Sequence, residues 1–371
     1  MTETARRVHV HDREPHLFRP LTLRGVTLRN RIMMSPMCQY SAQDGMPNDW
    51  HLAHVIQRAA GGVGILCVEA TAVAPEGRIT PGCLGLWSDA QEAALARMAG
   101  HIAALGAAPA IQLGHAGRKA SVSEPWNGTL PVAPGAGGWP VVGPSALPAT
   151  PDSAIPQPMD EGGIAALIAA FAASTLRARR AGFRILEVHA AHGYLINSFL
   201  SPLSNTRTDR WGGDWAGRVR LLHAVLDAVR GEWPADLPLF VRISATDWAE
   251  GGWTVEDSIR LAAELKARGD VDLIDCSSGG ISHRQAIRPY PGYQIPLAEA
   301  VKHGAGIATG AVGLISAPEM AEEILASGRA DLVILGRVLL NDPNWPLRAA
   351  TRLRAQNGPA WPVQYERANI Y

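Results

Sequence analysis

Residues 161–194 read EGGIAALIAAFAASTLRARRAGFRILEVHAAHGY. Helical periodicity over 161–181 gives way to a short apolar strand at 184–188. The strand then opens into a polar exit, His189-Ala190-Ala191-His192-Gly193-Tyr194. A long helix, a short buried strand and a polar strand exit are the parts of one βα unit.

The same alternation extends in both directions. Short β-branched runs mark strands near 31–35, 63–69, 109–113, 239–243, 272–277, 306–310 and 331–336, which makes eight with 184–188. Helical stretches separate them at 51–60, 90–105, 218–230, 255–268 and 318–327, each long enough to cross over one strand. Eight such units predict one (β/α)₈ TIM barrel of class α/β over 1–371, its strands covered by outer helices. A doubly wound sheet is the second choice. Residues 1–16 read as a flexible N-terminal extension and 360–371 as a C-terminal tail. Residues 114–159, rich in Gly and Pro, form a long excursion after the third strand, as lids and binding elements do, with a small hairpin expected between 130–132 and 141–142.

Composition narrows the function. The 371 residues are 47% hydrophobic and 18% charged, a folded globular protein. Lys plus Arg and Asp plus Glu are 34 each, and no dense basic run is present to track a phosphate backbone, which argues against nucleic acid. Cys38, Cys67, Cys83 and Cys276 form no close pair of the zinc or iron–sulfur kind. The N-terminus lacks the apolar core of a signal peptide, and the most apolar window, 162–173, is shorter than a bilayer span. A cytoplasmic protein without membrane contact is expected.

In a barrel of this kind reactive groups collect just after the strands. Ser35-Pro36-Met37-Cys38-Gln39-Tyr40 follows the first strand and Glu69-Ala70-Thr71 the second. The third ends in Gln112 and runs on to His115 and Lys119. Arg242 follows the fifth, Ser277-Ser278-Gly279-Gly280 the sixth, Gly310-Ala311 the seventh and Gly336-Arg337 the eighth. Glycine at the last two exits lets backbone approach a phosphate and Arg337 supplies a donor fork, although such glycines also serve simply as turn residues. No GxGxxG occurs, so a Rossmann dinucleotide site is not supported. His189 and His192 can aim both rings at one atom. They fit metal ligation, donation to a substrate carbonyl oxygen, or structural packing.

Several segments resemble the Old Yellow Enzyme family. They are 17–40, His189 to Tyr194 with the following Phe199-Leu200-Ser201-Pro202-Leu203-Ser204-Asn205, Arg207-Thr208-Asp209, Thr309-Gly310-Ala311-Val312-Gly313 and Gln364-Tyr365-Glu366-Arg367. The nearest likeness is to its bacterial, cysteine-containing, thermophilic-like branch. The resemblance spans residues 17–367 and implies an eight-stranded barrel with non-covalent FMN that uses NAD(P)H to reduce activated carbon–carbon double bonds. It places Ser35, Pro36, Met37, Cys38 and Ala70 around the flavin, Gln112 at its pyrimidine edge and Arg242 by its N1 and O2 side. Gly310, Gly336 and Arg337 match the phosphate site. His189 and His192 match the pair that holds the carbonyl oxygen of an enone-type small molecule, and Tyr194 matches the proton donor. Tyr40 matches a tyrosine that caps the substrate pocket, where a lone aromatic would otherwise read as core. Cys38 stands where the classical branch has threonine and would tune the flavin, against the plain alternative of an inert buried thiol. Arg367 matches a tail residue that reaches a neighbouring subunit's site, which implies a homo-oligomer built on dimers. The tail ends Ala368-Asn369-Ile370-Tyr371, without the tryptophan close relatives often have there.

Overall fold

The computed structural model describes residues 14–368. The chain enters through an antiparallel hairpin, β1 (Leu21–Leu23) and β2 (Val26–Leu28). Strands β3 (Ile32–Met34), β4 (Ile65–Ala72) and β5 (Ala108–Gly114) follow. Two short strands, β6 (Val142–Gly143) and β7 (Gln157–Pro158), lie in the excursion. The remainder are β8 (Ile185–Ala190), β9 (Leu239–Ser244), β10 (Leu273–Ser277), β11 (Ala308–Ala311) and β12 (Leu332–Leu335). Strands β3, β4, β5, β8, β9, β10, β11 and β12 pair in parallel in that order, and β12 returns to β3 to close the barrel. Each matches one of the expected runs.

The outer layer comprises α1 (Asp49–Ala60), α2 (Asp89–Ala104), α3 (Glu161–Arg180), α5 (Trp215–Glu232), α6 (Val255–Arg268), α7 (Ile295–Ala305) and α8 (Pro318–Ala326), with α4 (Leu195–Leu200) between α3 and α5. Helices α9 (Arg337–Asn341) and α10 (Trp345–Arg352) follow β12. The starts are chemically marked: side chains of Asn48, Ser88, Asp160, Asp214 and Thr254 each accept a first-turn amide. Such a cap contributes about 1 kcal/mol.

Three expectations change. The hairpin between 130–132 and 141–142 does not form. Val142 and Gly143 pair in parallel with Gln157 and Pro158, while Pro131 bridges Val122. Pro131, Pro134 and Pro140 have no N–H to donate, which deprives a hairpin there of its ladder. The helix containing the apolar window 162–173 runs for 20 residues and by length and composition could cross a bilayer. Alanines extend it past the window, but α3 packs on α2, α5 and β5 in the barrel's outer layer. Of the expected N-terminal extension, residues 1–13 lie outside the described residues. Glu14 and His16 are tied down: Glu14 accepts the Gln356 and Asn357 amides, and the His16 amide donates to Glu322 at 2.9 Å.

The first hairpin lies across the N-terminal end of the barrel. Arg24 Nε meets Asp272 Oδ1 at 2.6 Å, and its other nitrogens donate to the carbonyls of Ala235 and Gly269, all just ahead of β9 and β10. Leu17, Phe18 and Leu28 are fully buried beneath it. The open end is the C-terminal one.

Candidate active site

Strand register brings the predicted residues to one level. His189 pairs with Arg242, Arg242 with Asp275 and Asp275 with Gly310, while Gln112 pairs with Glu187. Gln112 Nε2 donates to Glu187 Oε1 at 2.8 Å. Arg242 Nε lies 3.0 Å from Asp275 Oδ2, close enough to pair as ions but outside hydrogen-bond geometry. Both carboxylates are fully buried, and both Asp275 oxygens and Glu187 Oε2 lack hydrogen-bond partners. Burial, reinforced by Asp275 and opposed by Arg242, pushes the Glu187 carboxyl up to about 8. Burial likewise raises Asp275 to about 6 against the pull of Arg242.

His189 belongs to this layer, and His192 and Tyr194 follow it on the turn leaving β8. The ring centroids of His189 and His192 are 5.2 Å apart, those of His189 and Tyr194 5.0 Å, all edge to face. Each imidazole has one nitrogen engaged by the chain: His189 Nδ1 accepts the Ala191 amide at 3.2 Å, and His192 Nε2 lies 2.7 Å from Ser277 Oγ. The other nitrogens, His189 Nε2 and His192 Nδ1, have no partner among the described residues; His189 Nε2 carries its ring's proton, and His192 Nδ1 does so in the tautomer whose Nε2 accepts from Ser277. Burial first, then Arg242 and Lys119, holds both rings well below the ordinary histidine range, hence neutral at pH 7. Burial raises the Tyr194 phenol, which keeps its proton.

The turn carrying them is pressed against β10's exit. His192 has φ 61° and Gly193 φ 74°, and a Cβ on Gly193 would collide with the Gly280 carbonyl. Glycine is what this left-handed, crowded position requires. Lys119 Nζ ties the same turn together, donating to the carbonyls of His192 at 2.8 Å and Gly280 at 3.1 Å. It stands 5.1 Å from the Tyr194 ring, and burial lowers it to about 8.

Two cavities flank this group. The larger, about 550 Å³, is lined by Ser35, Arg242, Ser277, Gly313, Gly336 and Arg337 and falls in the size range of small-molecule and cofactor sites. Gly310 does not line it. A Cβ there would collide with Ile334, so Gly310 is small for packing within the barrel, and Gly313 fronts the cavity in its place. The smaller, about 260 Å³, lies outward between Tyr40, Tyr194, Lys119 and the excursion residues Thr150 and Ser153.

The segment after β3 bridges the two. The Ser35 amide donates to Leu335 at 2.9 Å, and the Gln39 amide donates to Glu69 Oε2 at 3.1 Å. These bonds fix the path of Pro36, Met37 and Cys38, with Met37 beside Gly336 and Tyr40 at φ 51°. Ala70 sits where β4 shifts register against β5, on a small void shared with His189 and Tyr194. Arg367 is exposed and lines neither cavity. The chain just ahead of the tail is anchored at the other end of the barrel, where Pro359 fills the space over Gly62 between α1 and β4.

The model of the NADH:flavin oxidoreductase / NADH oxidase family matches residues 16–356. The chain belongs to this family. It is 49% identical to an NADPH dehydrogenase of Halalkalibacterium halodurans over 96% of this chain and 99% of that one. An old yellow enzyme homologue from Zymomonas mobilis superposes with a TM-score of 0.77 at 26% identity, over 91% and 93% of the two chains. A 2-naphthoyl-CoA reductase superposes with a TM-score of 0.82 at 27% identity; 91% of this chain is covered, but only 52% of that longer one. The Old Yellow Enzyme resemblance therefore holds. The protein is an NAD(P)H-dependent flavin oxidoreductase with FMN as cofactor and NADPH as reductant.

The flavin oxidoreductase cavity suits that cofactor. Arg337 makes no ion pair among the described residues, and Gly336 and Gly313 bare the backbone beside it, a setting for a dianionic phosphate. Deeper in, the Arg242 guanidinium lines the same cavity with its Nε turned to Asp275, which leaves a cation facing the space the flavin ring would fill. The metal-ligand reading of the histidines gains nothing: no group of three His, Cys, Asp or Glu able to hold a metal occurs among the described residues. Sequence reasoning missed Glu187, Asp275, Ser277 as a partner of His192, and Gly313. A carboxylate within each of the apolar strands ILEVH and LIDCS was the available signal for the first two, because a barrel strand should read as a continuous apolar run.

Proposed function

We propose that this oxidoreductase reduces the activated C=C bond of α,β-unsaturated carbonyl compounds. Gly336 and Arg337 hold the FMN phosphate, with Gly310 behind them in the barrel wall. Ser35, Pro36, Met37, Cys38 and Ala70 line the ring, and Gln112 and Arg242 take its polar edge. When bound, FMN would supply the hydride chemistry, relaying the reducing equivalents of NAD(P)H to the substrate β-carbon. His189 and His192 donate their free N–H groups to the carbonyl oxygen and hold it as negative charge develops there. Tyr194 holds a proton for the α-carbon, and Tyr40 closes the outer side of the pocket. Arg367 serves the site of a neighbouring subunit, in a dimer-based homo-oligomer of a cytoplasmic enzyme.

The observation that carries this reading is the grouping of two neutral imidazoles, each with one nitrogen engaged by the chain and one left over, beside a protonated phenol. The test is anaerobic turnover of 2-cyclohexenone with NADPH, with cyclohexanone measured as product. Consumption of NADPH only when oxygen is admitted would exclude enone reduction.

A further inference from the structure

The loops that leave the barrel strands at the open end differ sharply in free positive charge. Residues 35–48 after β3, 245–254 after β9 and 312–317 after β11 hold no Lys or Arg. Nor does the excursion from 120 to 160, which carries Glu124, Asp152 and Asp160. Arg78, after β4, lies between the Trp87 and Trp139 rings at 5.5 and 4.7 Å and donates to the Pro75 and Pro81 carbonyls. After β5, Arg118 and Lys119 donate to backbone carbonyls, and after β8, Arg207 and Arg210 pair with Asp209 and Glu161. Arg337, after β12, fronts the larger cavity. The loop after β10, residues 278–294, stands apart. His283, Arg284 and Arg288 are exposed on it, and neither arginine side chain has an ion pair or hydrogen bond among the described residues. No Asp or Glu occurs between Asp275 and Glu299 to offset them.

Both ends of this loop are built into the site. Gly280 lies against the histidine turn: a Cβ there would stand 2.6 Å from the His192 backbone, and its carbonyl accepts from Lys119 at 3.1 Å. At the far end Pro291 and Tyr293 line the larger cavity. Between them the loop is folded back on its own start, because Gln285 Oε1 accepts the Gly280 amide at 2.7 Å and the Ala286 amide donates to the Trp248 carbonyl at 2.9 Å. Tyr290 is 58% exposed and meets Tyr293 edge to face at 6.2 Å. A bare aromatic ring therefore stands at the cavity rim, two residues from Arg288.

NADPH must lay its nicotinamide against the flavin, so its adenosine end stays outside, over the rim, with the 2′-phosphate in water. A guanidinium fork matches phosphate oxygens, and the acidic excursion on the other side of the mouth repels them. We propose that Arg284 and Arg288 receive the 2′-phosphate of NADPH and that Tyr290 supports the adenine ring. NADH carries a hydroxyl in place of that phosphate and leaves both arginines to solvent, so the preference between the two reductants arises at this loop. Both cations are exposed, and at physiological salt their reach is about 8 Å, shrinking as salt rises. The placement rests on FMN lying where the proposed function seats it.

The FMN-loaded enzyme and its Arg284→Gln, Arg288→Gln and double variants are mixed anaerobically with NADPH or NADH, and bleaching of the flavin is followed. The NADPH concentration for half-maximal rate should rise about 10-fold in each single variant, as for loss of one hydrogen bond to a charged group, with the limiting rate kept and the NADH value unmoved. Added salt should raise the NADPH value in the parent and not in the double variant. Adenosine 2′,5′-bisphosphate should compete with NADPH better than adenosine 5′-phosphate does in the parent, and the double variant should erase that difference. Tyr290→Ala should weaken both dinucleotides alike, and parental values there overturn the adenine placement. Parental NADPH values in the double variant, or equal losses for NADPH and NADH, overturn the phosphate site. Release of FMN from the double variant overturns it as well and marks the seat of the flavin as the point of failure, since the arginines then serve the flavin phosphate.

Discussion

Ser277 pins His192: its hydroxyl oxygen lies 2.7 Å from Nε2 and joins the exit of β10 to the exit of β8. One ring nitrogen is thereby taken and the other presented. Ser277→Ala frees the ring to rotate and lose its tautomer. A neutral hydrogen bond contributes about 0.5–1.5 kcal/mol, so enone-driven reoxidation should slow roughly 2- to 12-fold with NADPH-driven reduction unchanged. Parental rates in both half reactions would leave Ser277 without a part.

Removing either imidazole is more severe. His189→Ala or His192→Ala should lower enone reduction by about 10²- to 10³-fold, the usual loss for one donor to a developing oxyanion. Phenol binding, followed by its long-wavelength absorption with the flavin, should weaken in parallel. A double variant with parental enone turnover would end the carbonyl-holding role.

Tyr194 is raised above the ordinary phenol range by burial, so it remains protonated at every pH where the enzyme is handled. Reoxidation by enone should therefore show no alkaline limb from this group up to about pH 9. Tyr194→Phe should be slowed by about 10²-fold or more, as for loss of a general acid. Equal rates for parent and variant across that range would assign the proton to solvent.

Glu187 gives the fold a pH dependence of definite sign. With its carboxyl pushed up to about 8 when folded, the folded chain holds a proton that the unfolded chain releases near 4.5. Stability therefore falls as pH rises between those values. In flavin-free protein the urea midpoint should decline from pH 5 to 8, and Glu187→Gln should flatten that decline. An identical slope in the variant would place the titration elsewhere.

Arg367 offers a test of assembly. Arg367→Ala should raise the Michaelis constant for enone or NADPH several-fold while FMN stays bound, and mixing it with a flavin-site-dead variant should change activity as hybrid dimers form. Parental kinetics, or a fully active monomer, would detach the tail from catalysis.

The barrel was legible in the sequence because strand and helix periods alternate cleanly, and the polar exits followed once the eight strands were placed. What resisted reading depends on closure. Strands covered on both faces lose their alternation, so although Glu187 and Asp275 stand out in their apolar runs, the sequence does not show that both meet Arg242. The choice between Gly310 and Gly313 rests on where each Cβ would point, which the sequence does not carry. The mistaken hairpin at 130–142 came from reading apolar pairs without weighing the prolines that interrupt them. Arg367 resists for another reason: its proposed partner belongs to a second chain.

The proposed reacting groups ride on rigid barrel strands and the turn clamped by Lys119, whereas Thr150 and Ser153 on the outer cavity wall belong to the excursion between β5 and α3. The proposed reacting groups and the outer wall of the pocket thus lie on different pieces of chain. The excursion is nonetheless fastened at its base, where Arg118 donates to the Leu147 and Pro148 carbonyls and Ser145 Oγ accepts the Thr206 amide. The outer wall is thereby held in register with the strands it shelters.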